Sequence, residues 1–144
     1  MARPRDFTGV WRRWYVGGMR GFSTYEAGKL HGPNKLFYSN GVPCLEFNWQ
    51  HGHKHGVGRV WYENGQLRVE DHWKEGELDG RDRYWDMNGK LVADGVRRDG
   101  RPWEGTFLGA RSYGDAKGVF VETYRDGAKV GQQPVDAALP PFGG

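Results

Sequence analysis

The chain of 144 residues contains no isoleucine, a single cysteine and no long apolar run. Each shortage removes a class of protein. One cysteine, Cys44, rules out an intrachain disulfide and a cysteine-based metal cluster. No stretch of about 18 apolar residues exists that would make a membrane-spanning helix. The opening Met1-Ala2-Arg3-Pro4-Arg5-Asp6 lacks the apolar core of a secretory leader, so the cytoplasm is the expected location. Charge of one sign is not segregated either: 21 Lys and Arg and 18 Asp and Glu are interspersed, giving a net charge of +3. The densest basic cluster is Arg12-Arg13, with Arg3 and Arg5 upstream, which falls short of a nucleic-acid footprint. No segment carries a convincing helical period. Because isoleucine is absent and leucine is scarce, the 7 Trp, 7 Tyr and 7 Phe must supply most of the burial.

Glycine is abundant, and its positions are ordered. Gly32, Gly56 and Gly80 are spaced by 24 residues, as are Gly41, Gly65 and Gly89, and Gly52, Gly76 and Gly100. A fixed period of this length indicates an array of small units. Each glycine of the second set follows an asparagine, and strand-length runs of aromatic and β-branched residues flank the dipeptide. Asn-Gly between two such runs predicts a β-hairpin with a two-residue type I′ turn, both central residues taking positive φ. That turn sets a register. Lys35 faces Glu46, Arg59 faces Glu70 and Arg83 faces Asp94, while Leu36 faces Leu45, Val60 faces Val69 and Tyr84 faces Ala93. Side chains alternate along a strand, so the two sets belong to opposite faces. The apolar face is expected to include Tyr38, Tyr62, Leu67, Leu91, Trp49 and Trp73, and is a candidate packed interior or oligomer interface. The charged face carries Phe37, Trp61 and Trp85, in line with Trp14, as a row expected to stack along the sheet.

The expected architecture is all-β: an elongated, twisted antiparallel sheet of consecutive hairpins. Residues 1–8 read as a flexible segment, 9–131 as the repeat domain (units near 9–31, 32–55, 56–79, 80–104 and 105–131) and 132–144 as a Pro/Gly-rich tail. End units depart from the period, as expected where a unit has one neighbour. In the first, Arg12 keeps the basic slot and Ser23 falls in the acidic one. The last is interrupted over residues 110–118 and resumes toward the turn Asp126-Gly127.

The stretch Gly56-Val57-Gly58-Arg59-Val60-Trp61-Tyr62-Glu63-Asn64-Gly65-Gln66-Leu67, with the punctuation Leu30-His31-Gly32 and Lys54-His55-Gly56, resembles the MORN repeat (membrane occupation and recognition nexus). It is most similar to the bacterial variant found in small proteins labelled as antitoxins. The resemblance spans about residues 9–130. It implies a hairpin sheet that binds protein partners, self-associates or contacts acidic lipid, and the antitoxin label implies neutralising a toxin by direct binding.

Residues that could carry chemistry fall on repeat positions. His51, His53 and His55 alternate, but they sit at a glycine turn whose next copy reads Glu75-Gly76-Glu77, so no metal is expected. Glu46, Glu70 and Asp94 are each assigned a basic partner, which argues against acid–base catalysis. Cys44 has no histidine in register, and neither a phosphate-cradling Gly-x-Gly-x-x-Gly nor a serine nucleophile elbow is present. The chain is therefore expected to be a non-catalytic, cofactor-free binding module of the antitoxin or immunity type, with no nucleic-acid partner. An acidic-lipid scaffold or a self-assembling homodimer is the alternative. Candidate partner-binding residues are Phe37, Arg59, Trp61, Arg68, Arg83, Trp85 and Arg97, since Trp and Arg dominate interface energetics. Any special site is expected where the period breaks, near residues 97–118.

Overall fold

The computed structural model describes residues 2–110 and 119–135. Its strands are β1 (Gly9–Trp14), β2 (Arg20–Glu26), β3 (Lys29–Phe37), β4 (Pro43–Gln50), β5 (His53–Lys54), β6 (Gly56–Trp61), β7 (Leu67–Lys74), β8 (Glu77–Leu78), β9 (Gly80–Trp85), β10 (Leu91–Arg98), β11 (Arg101–Ala110), β12 (Val119–Arg125) and β13 (Ala128–Pro134). They form one open antiparallel sheet in chain order, with β5 attached to β4 and β8 to β7. The expected fold class is observed. β13 continues to Pro134, into the segment read as tail. Residues 111–118, within the expected special site, and 136–144 lie outside the described residues.

The hairpins close differently from the expectation. At the three Asn-Gly turns only the glycine has positive φ, at 86°, 88° and 86° for Gly41, Gly65 and Gly89. Gly41 N–H donates to the Tyr38 carbonyl at 2.9 Å and Tyr38 N–H to the Val42 carbonyl at 2.8 Å. This is a three-residue loop, a type I turn followed by a left-handed glycine. Asparagine has another task. Asn40 Nδ2 donates to the Glu63 carbonyl at 3.1 Å and Asn64 Nδ2 to the Met87 carbonyl at 2.9 Å, each reaching into the next unit. Their Oδ1 atoms accept from Val42 N–H and Gln66 N–H.

Type I′ turns do occur, at the other end of the hairpins. His51-Gly52, Glu75-Gly76 and Asp99-Gly100 have positive φ at both residues, as do Ala27-Gly28 and Asp126-Gly127. A left-handed non-glycine residue costs about 1–3 kcal/mol unless its surroundings hold it there. Here the turn glycine is clamped to the preceding unit: Gly52, Gly76 and Gly100 donate to the carbonyls of Leu30, Lys54 and Leu78 at 2.8, 2.9 and 2.8 Å.

The expected register survives because two errors cancel. The loop is one residue longer than assumed, and each hairpin then carries a β-bulge. Leu36 pairs with Leu45 but Phe37 with Pro43; Val60 pairs with Val69 but Trp61 with Leu67; Tyr84 pairs with Ala93 but Trp85 with Leu91. Cys44, Arg68 and Val92 are the extra residues. Beyond the bulge Lys35–Glu46, Arg59–Glu70 and Arg83–Asp94 are partners as expected. Between bulge and turn the faces exchange. Leu67 and Leu91, expected beside Val69 and Ala93, lie opposite Trp61 and Trp85 instead. In the first unit Arg12 pairs with Phe22, and Ser23 pairs with Trp11.

A single sheet has no second layer, so burial comes from side chains lying along the sheet. Tyr62, Ala93 and Phe107 are buried, at 5%, 4% and 4% exposure, and all lie on the Val60–Val69 face. Period glycines make room there: Gly32 and Gly56 pair with Trp49 and Trp73. Tyr38 Oη donates to the Trp61 carbonyl at 2.6 Å and Tyr62 Oη to the Trp85 carbonyl at 2.8 Å, repeating the unit-to-unit link.

Candidate functional site

On the charged face the three expected ion pairs merge into one ladder. Adjacent units abut with Glu46 beside Arg59 and Glu70 beside Arg83. The row therefore reads Lys35, Glu46, Arg59, Glu70, Arg83, Asp94 across six neighbouring strands, each interior residue between two of opposite sign. Lys35–Glu46, Arg59–Glu70 and Arg83–Asp94 approach to 3.6, 3.0 and 3.5 Å. Arg81, which the repeat gave no reason to single out, binds Asp94 through two N–H groups at 2.9 and 2.7 Å. Its slot is held by Pro33 and Val57 in the other units. Arg81 holds the Asp94 carboxyl below the usual carboxylate range, chiefly by hydrogen bonding. That direction is opposite to what a general acid needs at neutral pH.

Beside this ladder runs a second row. Phe37, Trp61 and Trp85 lie on β3, β6 and β9, two strands or roughly 9.5 Å apart. Pro43, Leu67 and Leu91 stand opposite them, and Arg20 links Trp14 to Phe37. Among the described residues no ring–ring contact joins Phe37, Trp61 and Trp85; the stacking expected along this row is absent because an aliphatic residue or proline separates each ring from the next. The rings are half-buried. The bulge is what brings Leu67 and Leu91 here, so sequence alternation alone could not place them.

The opposite face uses its polar groups internally. Lys54 Nζ lies 3.8 Å from the Phe47 ring centroid and 4.5 Å from that of Trp73. Trp73 Nε1 donates to Asp71 at 2.6 Å, and burial raises the Asp71 carboxyl against that bond. Arg97 fills the slot of Trp49 and Trp73, donates to Asp82 at 2.5 Å and covers the Phe107 ring. Arg68, on the bulge, donates to Tyr84 Oη at 3.0 Å. Burial, then the Cys44 thiol, pushes the Tyr38 phenol up to about 12. Burial and the Tyr84 hydroxyl likewise raise Tyr62. The candidate set thus divides. Phe37, Arg59, Trp61, Arg83 and Trp85 share the ladder face; Arg68 and Arg97 belong to the other, already engaged by neighbours.

His51, His53 and His55 line a shallow recess with Gln50 and Glu75. His31 Nδ1 accepts from His51 N–H at 3.1 Å, and its Nε2 lies 3.4 Å from Glu26. Among the described residues no three His, Cys, Asp or Glu side chains converge as metal donors.

No curated protein matches the chain. Residues 54–75, from β5 through the hairpin of β6 and β7 to the following type I′ turn, match the family model described as MORN repeat variant. What that match carries to this stretch is the character of a repeat module, generally non-catalytic, that binds protein or membrane.

Proposed function

We propose that the chain is a non-catalytic protein-binding module whose ladder face docks a protein partner. One observation carries the reading: half-exposed Phe37, Trp61 and Trp85, each beside Pro43, Leu67 or Leu91, run parallel to a ladder of alternating charge. Indole anchors flanked by arginine are the usual source of interface energy. Alternating charge suits one protein surface of matching pattern better than a uniformly anionic membrane, because each acid in the row would face that membrane unfavourably. Within this reading, the resemblance to antitoxin-type repeats supports a toxin as the partner, neutralised by being covered. The opposite face serves as the scaffold.

The test is co-purification with the product of the adjacent gene, expressed together with this chain. A stable complex is expected for the wild type. Trp61→Ala/Trp85→Ala is expected to abolish it while thermal unfolding remains cooperative. A complex that survives this double substitution in a folded protein, or none with the wild type, overturns the proposal.

A further inference from the structure

The sheet is open, and its first strand differs from every other. β1 ends the strand order, and no described strand pairs with its outer side. Tyr15 N–H donates inward to the Met19 carbonyl. By alternation Val10, Arg12 and Trp14 direct their backbone N–H and C=O groups outward. Exposed apolar side chains gather at the same place: Val10 at 45%, Trp14 at 74%, Tyr15 at 47% and Val16 at 103%. The arginines there are exposed. Lys35, Arg59, Arg81, Arg83 and Arg97 all have carboxylate partners, whereas no described carboxylate pairs with Arg12 or Arg13. Residues 2–7 approach this edge without pairing to it as a strand: Ala2 and Arg3 border an open recess along Trp11, Arg12, Arg13 and Trp14. Arg3 packs on the Tyr25 ring at 3.9 Å and Phe7 packs against Trp11 and Tyr25, on the face of the sheet.

We infer that β1 is a docking edge for an extended protein segment carrying two adjacent acidic residues flanked by apolar ones, added to the sheet as a further strand. The pattern follows from the edge. Opposite Trp14, Arg13, Arg12, Trp11 and Val10 a strand is best matched by apolar, acid, acid, apolar and apolar residues, because cross-strand partners interact directly. Main-chain hydrogen bonds supply the affinity of such an addition and side chains its selectivity. A second copy fits poorly. Antiparallel pairing of β1 with itself sets arginine against arginine, and β13, the other free edge, offers Lys129 and no carboxylate. Charge on an edge strand discourages pairing with like-charged strands, and here it leaves an acidic strand as the admissible one. Arg12 and Trp14 continue the two rows of the ladder face through Phe22 and Arg20, but the main-chain groups that would bind the added strand point out of the sheet edge, away from Trp61 and Trp85.

The probe is a fluorescent peptide centred on Val-Glu-Glu-Val-Val, read by anisotropy against the whole chain. Controls replace Glu by Lys or carry N-methyl groups on alternate amides. Expected are binding of the acidic peptide, loss of binding on N-methylation, and weakening by about tenfold or more in Arg12→Glu/Arg13→Glu. That variant, whose altered side chains are exposed and unpaired, is expected to prefer the Lys peptide and to unfold at the wild-type temperature. Trp61→Ala/Trp85→Ala is expected to retain the peptide, which separates this edge from the ladder face. The inference falls if Glu and Lys peptides bind alike, or if N-methylation has no effect. It also falls if the chain binds phosphatidylserine vesicles but not the peptide, or if light scattering shows a dimer that the peptide does not dissociate.

Discussion

Gly95→Ala isolates what holds this one-layer sheet together. Gly95 lies on β10 between Asp82 and Gly105 of the flanking strands. Its φ is an ordinary strand value, so alanine fits the backbone. On backbone entropy alone the substitution should stabilise the protein by about 0.4–1 kcal/mol. The structure reverses the sign. A Cβ at Gly95 would stand 2.7 and 2.8 Å from Phe107 Cε2 and Cε1, and closer still to Cζ. Phe107 cannot swing aside freely: it is 4% exposed, meets Tyr124 edge-on at 5.6 Å between centroids and carries Arg97 above its ring. Overpacking of this kind costs about 1–3 kcal/mol. The net expectation is a loss of about 1–2 kcal/mol, or roughly 3–6 °C in Tm for a chain of this size. Gly131→Ala is the control. It also has ordinary φ, its Cβ would meet only Thr123 at 3.8 Å, and it should be neutral or slightly stabilising. Urea denaturation of both variants, with Gly95→Ala in a Phe107→Leu background, gives the answer. Phe107→Leu should relieve most of the penalty. A stabilising Gly95→Ala, or full additivity with Phe107→Leu, refutes the argument.

Asn64→Ala removes the link to the Met87 carbonyl and the acceptor for Gln66 N–H, and should cost about 1–2 kcal/mol at about 0.5–1.5 per hydrogen bond. Asn64→Gly should cost at least as much; if urea midpoints show Gly equal to Asn, the clamp is not what the asparagine provides. Asp94 is held below its usual pKa by Arg81. A depressed acid stabilises the fold above the unfolded value of about 3.9 and loses that contribution as pH falls through the folded one. Arg81→Ala should therefore lower stability slightly at pH 7, because the pair is partly solvated, and this difference should fade as pH falls through the folded value of Asp94. A pH-independent difference in urea midpoints would show that the arginine acts through packing.

Much of the fold was legible because the period recurs in phase. Glycine spacing marked both ends of each hairpin, and the alternation of charged and apolar residues placed Lys35, Arg59 and Arg83 opposite their acids. The turn types were not legible. Asn-Gly suits a type I′ turn locally, yet Asn40 and Asn64 are engaged by carbonyls 23 residues away, a constraint that exists only once units are stacked. The bulges at Cys44, Arg68 and Val92 have no composition signal. They decided which face Leu67, Leu91 and Arg68 occupy, and so which residues of the candidate site stand together. Arg81 is not legible for a related reason: a residue unique to one unit leaves no periodic trace.

By itself, the sequence determined the repeat, the all-β class and the pairing of acids with bases, since each depends on spacing within one hairpin. Only the tertiary structure decided that three ion pairs form one ladder, that the Trp row is interleaved with aliphatic residues, and that, among the described residues, β1 has outward-facing amides with no strand beside them and arginines with no carboxylate partner. These depend on how one unit meets the next, or meets none, and contacts between units are not encoded in the spacing within any one of them.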